Sequence, residues 1–498
     1  MNIGVFDYIV IALYLVLMIC IALFFAKRKI ENFDDYFLAG GKLPVAVLIA
    51  TFTSSYFGVD SLTGNSEMGF SMGMSGFFSY CFIAWIMMIV LAFVGFKIKG
   101  KLGDAKTTIE IISGSYGTMS RISTAIGSLC YTIPVVNIMG MGIAFSVVLG
   151  IDFWLGVVIS AIISTAYTYF GGLAAVSVTD TINFFIIAVG VGITGFIGWK
   201  TLGVENVWNG LETMAGGDPS YFFTPSGGWM SFGLMLTYSL TAISVLCEPT
   251  LFQRIFAAKD AAAVRKALLI GSFIYLSYAL ISTILGTLAA SGVGLGVMGD
   301  ISASESLASF AVHFLPVGLV GLFLAGFLAA GLSTCDSMLL IAGSNISYDL
   351  YQSFSKKERT EKQKLQTTKN GVLIASAISL ILCFAFGRVM SAWVFVSSML
   401  VNTTLVPFYT ALFMKGKKSK LAGDISSGIG LFGTLFCYFG TWIFGYYDEA
   451  WATRMFDITL FGHTFTFWQE HTILLVLPVV IISYFVVHLI TNPNKKEA

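Results

Sequence analysis

From residue 9 to residue 490 the chain repeats one pattern: an apolar run of about twenty residues, then a short polar connector. Each run is long enough to cross a hydrocarbon core of ~30 Å. Lipid offers the backbone no hydrogen-bond partner, so a crossing segment must be a helix or a strand of a closed barrel. Barrel strands alternate apolar and polar side chains. Residues 11–26 and 473–482 are continuously apolar, which selects helices. The pattern predicts an all-α polytopic membrane protein with about thirteen crossings. They fall near 6–26, 44–69, 75–96, 122–149, 151–170, 175–199, 229–250, 267–292, 309–348, 371–387, 391–414, 421–445 and 471–490. The first run is too long for a signal-peptide core, has no basic residue before it and lacks a small-residue cleavage site, so it is expected to be a retained helix.

Composition agrees. Hydrophobic residues make up 56% of the chain and charged residues 11%, against about 25% charged in soluble domains. When the connectors alternate between two sides, the basic residues collect on one. Lys27-Arg28-Lys29, Lys97, Lys99, Lys101, Arg254, Lys259, Lys415 and Lys420 share it, and of 28 Lys and Arg only Lys200, Arg388 and Arg454 lie opposite. Short basic connectors stay cytoplasmic. The expected placement is therefore a plasma (cell inner) membrane with the C-terminus inside and the N-terminus outside. The net charge of +1 gives no bulk attraction to nucleic acid. The seven cysteines show no metal-site spacing, and the four histidines are scattered. The external connector 201–228 carries Trp208 and Pro219 and has room for a short surface helix.

Five acids stand in or at the edges of the crossings: Asp60, Glu67, Asp180, Glu248 and Asp336. Each costs ~2.5–3.5 kcal/mol on insertion scales and belongs in a protein interior. No basic residue is placed at comparable depth, so protons, metal cations or a cationic solute are expected to neutralise them. Residues 50–73 read ATFTSSYFGVDSLTGNSEMGFSMG, rich in Ser, Thr and Gly. Such a stretch either packs closely against other helices or unwinds and offers carbonyl oxygens to a cation. In AAGLSTCDSMLL (329–340), Ala330, Ser333, Thr334 and Ser337 share one helix face, with Asp336 at its edge. Hydroxyls with one carboxylate suit a monovalent hard cation better than Ca²⁺ or Zn²⁺. Glu248 precedes Pro249, which interrupts a helix. It is either a solute contact beside that break or a helix-end carboxylate, and Arg254 is close enough in sequence to pair with it.

At these residues the chain resembles the sodium:solute symporter family, over roughly residues 32–420. The resemblance rests on Asp34-Asp35-Tyr36-Phe37-Leu38, on YTYFGGLAAVSVTD ending at Asp180, on Phe252-Gln253-Arg254, and on Ser333-Thr334 with Asp349-Leu350-Tyr351 downstream. It implies a LeuT-type core of two inverted five-helix repeats, here 43–200 and 229–414. An extra helix (1–30) precedes them, the external loop 201–228 separates them, and two helices and a short tail (415–498) follow. It further implies a Na⁺ site from the carbonyls of Ser54, Phe57 and Ala330 and the hydroxyls of Ser333 and Thr334. Members with a second Na⁺ use the positions of Asp180, Ser333, Asp336 and Ser337. Ser61 and Glu248 match sugar-contacting positions. Glu67 resembles a glutamate of choline-type members, whose caging tryptophans are replaced here by Tyr56 and Glu248.

The expected activity is thus Na⁺-coupled symport of a small organic solute by a monomer in the lipid bilayer, with Na⁺ as the coupling ion and no enzymatic chemistry. Tyr56, Asp60, Ser61, Glu67 and Glu248 are the solute candidates, and acids without basic partners favour an amine-bearing cationic or zwitterionic solute. A neutral or carboxylate solute stays open if the acids are protonated by desolvation. So do an ion channel or sodium-sensing receptor, although no filter-like loop is visible, and an intramembrane aspartyl protease built on Asp60 and Asp336, although a GxGD pattern is absent.

Overall fold

Continuous apolar runs close their backbone hydrogen bonds within helices, and most of the described residues do so. The computed structural model describes residues 3–26, 32–101, 105–224, 232–351, 360–384, 389–449, 453–460 and 463–491. The basic run Lys27-Arg28-Lys29, Arg388 and the expected boundaries at 30, 228 and 229 lie outside the described residues. The helices that frame the site are α1 (Val5–Ala26), α2 (Phe33–Leu38), α3 (Val45–Tyr56), α4 (Val59–Met72), α5 (Phe82–Lys99), α6 (Thr108–Ser113), α7 (Thr118–Thr132), α8 (Val135–Leu149) and α9 (Phe153–Leu202). After them come α10 (Val204–Ala215), α11 (Phe232–Thr241), α12 (Pro249–Ala257), α13 (Ala261–Gly294), α14 (Ser306–Phe314), α15 (Leu319–Ser344), α16 (Glu361–Cys383), α17 (Val389–Phe413), α18 (Lys420–Phe444) and α19 (Thr472–Ile490).

Among the described residues, ten helical segments are long and apolar enough to cross a bilayer, and eleven when the bent pair α3/α4 counts as one. The 50-residue α9 breaks at Gly172 (φ 60°, ψ −176°). At 1.5 Å per residue it is ~75 Å long, more than twice the hydrocarbon thickness, so it supplies two crossings. With the 22 residues of α1, the thirteen expected crossings are accounted for. Gly172 has a steric reason as well as a conformational one. A Cβ there would lie 2.7 Å from the Tyr36 ring, whose hydroxyl donates to the Thr168 carbonyl at 3.0 Å.

Three local features add detail to the expected spans and connectors. The run 122–149 is not one rod: Pro134 removes a donor and splits it into α7 and α8. The run 309–348 divides at Pro316–Gly318 into the short α14 and the long α15. The connector after α18 holds a three-stranded antiparallel sheet, β1 (Tyr446–Asp448), β2 (Thr453–Leu460) and β3 (His463–Trp468), in register Tyr446↔Met455 and Met455↔Trp468. The connector after α9 does form a surface helix: α10 buries Val207, Gly210 and Leu211 and leaves Val204 and Trp208 outside.

The core lies around α15, which is buried along nearly its whole length and packs on α9, α3, α4 and α8. Phe196, Phe432, Ile443 and Ile482 point outward, as side chains facing lipid do. α1 stands beside α9 and α15. Its fully buried Asp7 accepts the backbone N–H groups of Gly318 (2.7 Å) and Gly321 (2.6 Å) at the start of α15. That is the favourable end of a helix for a carboxylate.

Candidate functional site

Residues 45–72 are too rich in Gly and hydroxyls to continue as one rod. The chain leaves α3 at Phe57 (φ −101°, ψ 66°) and restarts as α4 after Gly58, with a 53° bend between the two. A helix end releases carbonyls from their intrahelical partners. The Ser54 carbonyl, in the last turn of α3, accepts the hydroxyl of Ser333 at 2.7 Å and that of Thr334 at 3.4 Å, both from α15. Ser333 also reaches the Ala330 carbonyl at 3.3 Å. Ser54, Ala330, Ser333 and Thr334 are thus gathered at one place, and Phe57 is the break itself. Gly58 makes the approach possible, since a Cβ there would stand 2.3 Å from Thr334 Oγ1. The polar atoms gathered here are neutral hydroxyl and carbonyl oxygens, the kind of set an alkali cation prefers.

The second group of expected ion residues has a different composition. Asp180, fully buried on α9, accepts the Ser55 hydroxyl at 3.0 Å and the Thr51 hydroxyl. It also pairs with Arg254 Nη2 at 3.3 Å, with both side chains fully buried. The same guanidinium donates to Ser55 at 2.7 Å, to the Ser337 hydroxyl and, through Nε, to Thr51 at 3.1 Å. The expectation that no basic residue lies at depth is therefore wrong. Arg254 looked like a connector residue, but α12 continues inward past the Pro249 break with all nine of its residues buried. Asp336 does not join the Ser333–Ser337 face. It turns toward α9 and accepts the Thr168 hydroxyl at 3.1 Å.

The pairing of Glu248 is now decided. It does not bridge to Arg254. It is the N-cap of α12, accepting Leu251 N at 2.8 Å and the Thr250 hydroxyl at 2.5 Å. Asp60, in the first turn of α4, is also buried, yet its Oδ1 has no hydrogen-bond partner. With Ser61 it lines a small cavity completed by Gly64, Asn65, Met68, Tyr80 and Trp393. Tyr56 stands behind this wall, its hydroxyl 3.4 Å from that of Tyr80. Glu67 and Glu248 are buried but are not part of the lining. Asn65, Tyr80 and Trp393 were missed from sequence. Asn65 lay in the polar stretch already singled out. Tyr80 and Trp393 carry no local signal, because an aromatic in an apolar run reads equally well as lipid-facing.

The family model for the sodium:solute symporter family matches residues 36–429. Among curated relatives, the sodium/glucose cotransporter of Vibrio parahaemolyticus is 23% identical over 451 residues, covering 83% of this chain and 82% of that protein. The sodium/pantothenate symporter of Haemophilus influenzae is 24% identical over 396 residues, covering 77% and 79%. Among solved structures, a substrate-bound, outward-open Na⁺-coupled sialic acid symporter superposes with a TM-score of 0.74 at 17% identity, covering 88% of this chain and 92% of that one. That likeness establishes the LeuT-type fold. These relatives are transporters and not enzymes, which sets aside the protease reading. With a family match spanning well over half of its length, this multi-pass membrane chain belongs to the sodium:solute symporter family.

Proposed function

We propose that the protein uses the Na⁺ gradient to import a small amine-bearing solute, cationic or zwitterionic. The observation that carries the ion half is the Ser54 carbonyl held between Ser333 and Thr334 at the α3/α4 break. Na⁺ would take the carbonyls of Ser54, Phe57 and Ala330 and the two hydroxyls, and so fasten α3 to α15. The membrane potential adds ~2.3 kcal/mol per charge per 100 mV, which sustains roughly tenfold or greater accumulation. Of the second set (Asp180, Ser333, Asp336, Ser337), Asp180 and Ser337 already meet a cation, the Arg254 guanidinium. That set serves as an ion site only in a conformation where Arg254 has moved away.

The two five-helix sets each begin with an interrupted helix, at Phe57–Gly58 and at Cys247–Glu248, which supports the inverted-repeat division at 43–200 and 229–414. The charge partition supports a cytoplasmic C-terminus and an external N-terminus. A single chain contains both ion and solute candidates, so the protomer is taken as the working unit, with no role for nucleic acid.

A neutral or carboxylate solute is the second reading. What favours it is the relatives' names, which specify glucose, pantothenate and sialic acid. Thermal unfolding of the purified protein in Na⁺ and in K⁺, over a panel of amines, amino acids, sugars and carboxylates, separates the readings. A ligand at about 100 times its dissociation constant adds ~2.7 kcal/mol. A Na⁺-dependent shift confined to amines supports the first reading, and one confined to sugars or carboxylates supports the second. No Na⁺ effect with any compound overturns the coupling itself.

A further inference from the structure

Two helices from different halves of the fold leave a long cavity between them on the outside of the bundle. α9 and α16 run antiparallel. Three contacts mark their course in order: the stacked rings of Trp154 and Phe384 (4.2 Å between centroids), the bonded hydroxyls of Thr165 and Ser376, and the Gln366 amide on the Tyr169 hydroxyl (3.4 Å). The space they enclose is about 540 Å³, within the range that takes an organic ligand. Ala161 and Ser376 are buried at its floor, while Ile162, Phe170 and Leu373 stand exposed at its rim. Thr165 and Ser376 satisfy each other, so the remaining surface is largely apolar. From Ala161 to Phe170 the cavity follows ~14 Å of helix, about half of a hydrocarbon core of ~30 Å. That is the depth of one leaflet.

The face of α16 that lines this space changes character at one end. Lys362, Gln366, Lys369, Leu373, Ser376 and Leu380 follow one another at steps of three or four and share it. The cations come first, at the basic connector, and the apolar residues follow. Lys369 Nζ stands over the rings of Tyr169 (5.3 Å) and Tyr36 (5.5 Å), and Tyr169 itself lines the cavity. Glu361, the one acid of α16, is paired with Lys364 at 2.7 Å. Among the described residues neither Lys362 nor Lys369 has an ion pair. Cations at the rim above a slot for alkyl groups are complementary to an anionic phospholipid, and basic pockets between membrane helices on the cytoplasmic side bind such head groups. A second copy of the chain fits this face less well. A two-fold axis along the membrane normal sets the same residues at the same depth, so Lys369 would meet its own mate.

We infer that the α9/α16 cavity holds an acyl chain of an anionic phospholipid, in the leaflet beside the basic connectors, with the phosphate on Lys369 and Lys362 toward the rest of the head group. The lipid bridges a helix of the first five-helix set to one of the second. This goes beyond the transport reading and requires neither Na⁺ nor solute.

The test is native mass spectrometry of the full chain in detergent with an equimolar mixture of dioleoyl phosphatidylglycerol and dioleoyl phosphatidylcholine. Thermal unfolding of each variant checks the fold. The expected result is preferential retention of phosphatidylglycerol. Lys369→Gln should lower that preference about fivefold, the equivalent of ~1 kcal/mol per lysine at a membrane surface. Lys369→Arg should retain it. Lys266→Gln, an exposed lysine on α13, should leave it unchanged. Ala377→Phe, at an exposed position in the lining, should fill the slot and reduce retention of both lipids. Equal retention of the two lipids, or of neither, overturns the inference. So does a preference that Lys369→Gln leaves intact, or one that Lys266→Gln lowers equally. Lipid-free dimers that Ala377→Phe dissociates would assign the face to a second copy and overturn it as well.

Discussion

Two interruptions in the fold look alike and behave differently. At the first, α3 stops and α4 restarts with Asp60 in its opening turn. At the second, α11 stops and α12 restarts on Glu248. Both acids are buried at a helix N-terminus, where the backbone dipole favours them. Glu248 spends its oxygens on Leu251 N and Thr250 Oγ1. Asp60 leaves Oδ1 without a hydrogen-bond partner, close to Gly58, where a Cβ would stand 2.5 Å from it. Position relative to a helix break therefore does not fix what a buried acid does. What distinguishes the two is whether the local turn consumes the side chain's hydrogen-bonding capacity.

The largest effect is expected where the second break carries its most constrained partner. Arg254→Gln leaves Asp180 buried without its counter-charge, and stability should fall by ~3–5 kcal/mol in Na⁺-free thermal unfolding. If higher Na⁺ restores much of that loss, a metal cation can replace the guanidinium and the second ion set is real. If it restores none, the set is structural.

The comparison itself is tested by exchanging the two acids for alanine in turn. Glu248→Ala removes an N-cap and should cost ~1–2 kcal/mol of stability with solute affinity unchanged. Asp60→Ala should cost less stability than that, because its Oδ1 has nothing to lose, while amine affinity falls. The reverse pattern would make Glu248 the recognition residue. Ser333→Ala should weaken Na⁺ activation roughly fivefold, the equivalent of a hydrogen bond of ~1 kcal/mol. Thr334→Ala should do less, in line with contacts of 2.7 and 3.4 Å to Ser54. Equal activation of both variants and the parent removes the first break from the ion path. The smallest effect belongs to Lys106→Ala. Its 2.6 Å ion pair with Asp34 is partly exposed, so stability should change by about 0.5 kcal/mol or less.

The crossings were legible because lipid imposes one rule on every residue of a span, and an average over twenty positions reports it. The first break was legible for a related reason: Gly58, Gly64, Ser54, Ser55 and Thr53 together are too polar for an ordinary span. Single contacts across the fold were not legible. Arg254 near the end of an apolar run reads as a connector anchor until α12 is seen to run inward. Trp393, more than 300 residues from Asp60, has nothing in its own surroundings to mark it as cavity lining. The small sheet was missed because TRMFDITL and HTFTFW alternate over only a few residues beside much longer helical signals.

The Asp7 contact has a consequence for how the protein is made. Its acceptors, Gly318 and Gly321, lie 311 and 314 residues downstream. At ~5–20 residues per second, the first helix waits about 15–60 s in the bilayer before the N-terminus of α15 is synthesised. Through that interval a carboxylate that will end fully buried must stay at the hydrated rim of the membrane. Docking of the earliest helix is thus among the later events of assembly. A chain arrested before residue 318 should leave Asp7 open to water-soluble carboxyl reagents, and the finished protein should shield it.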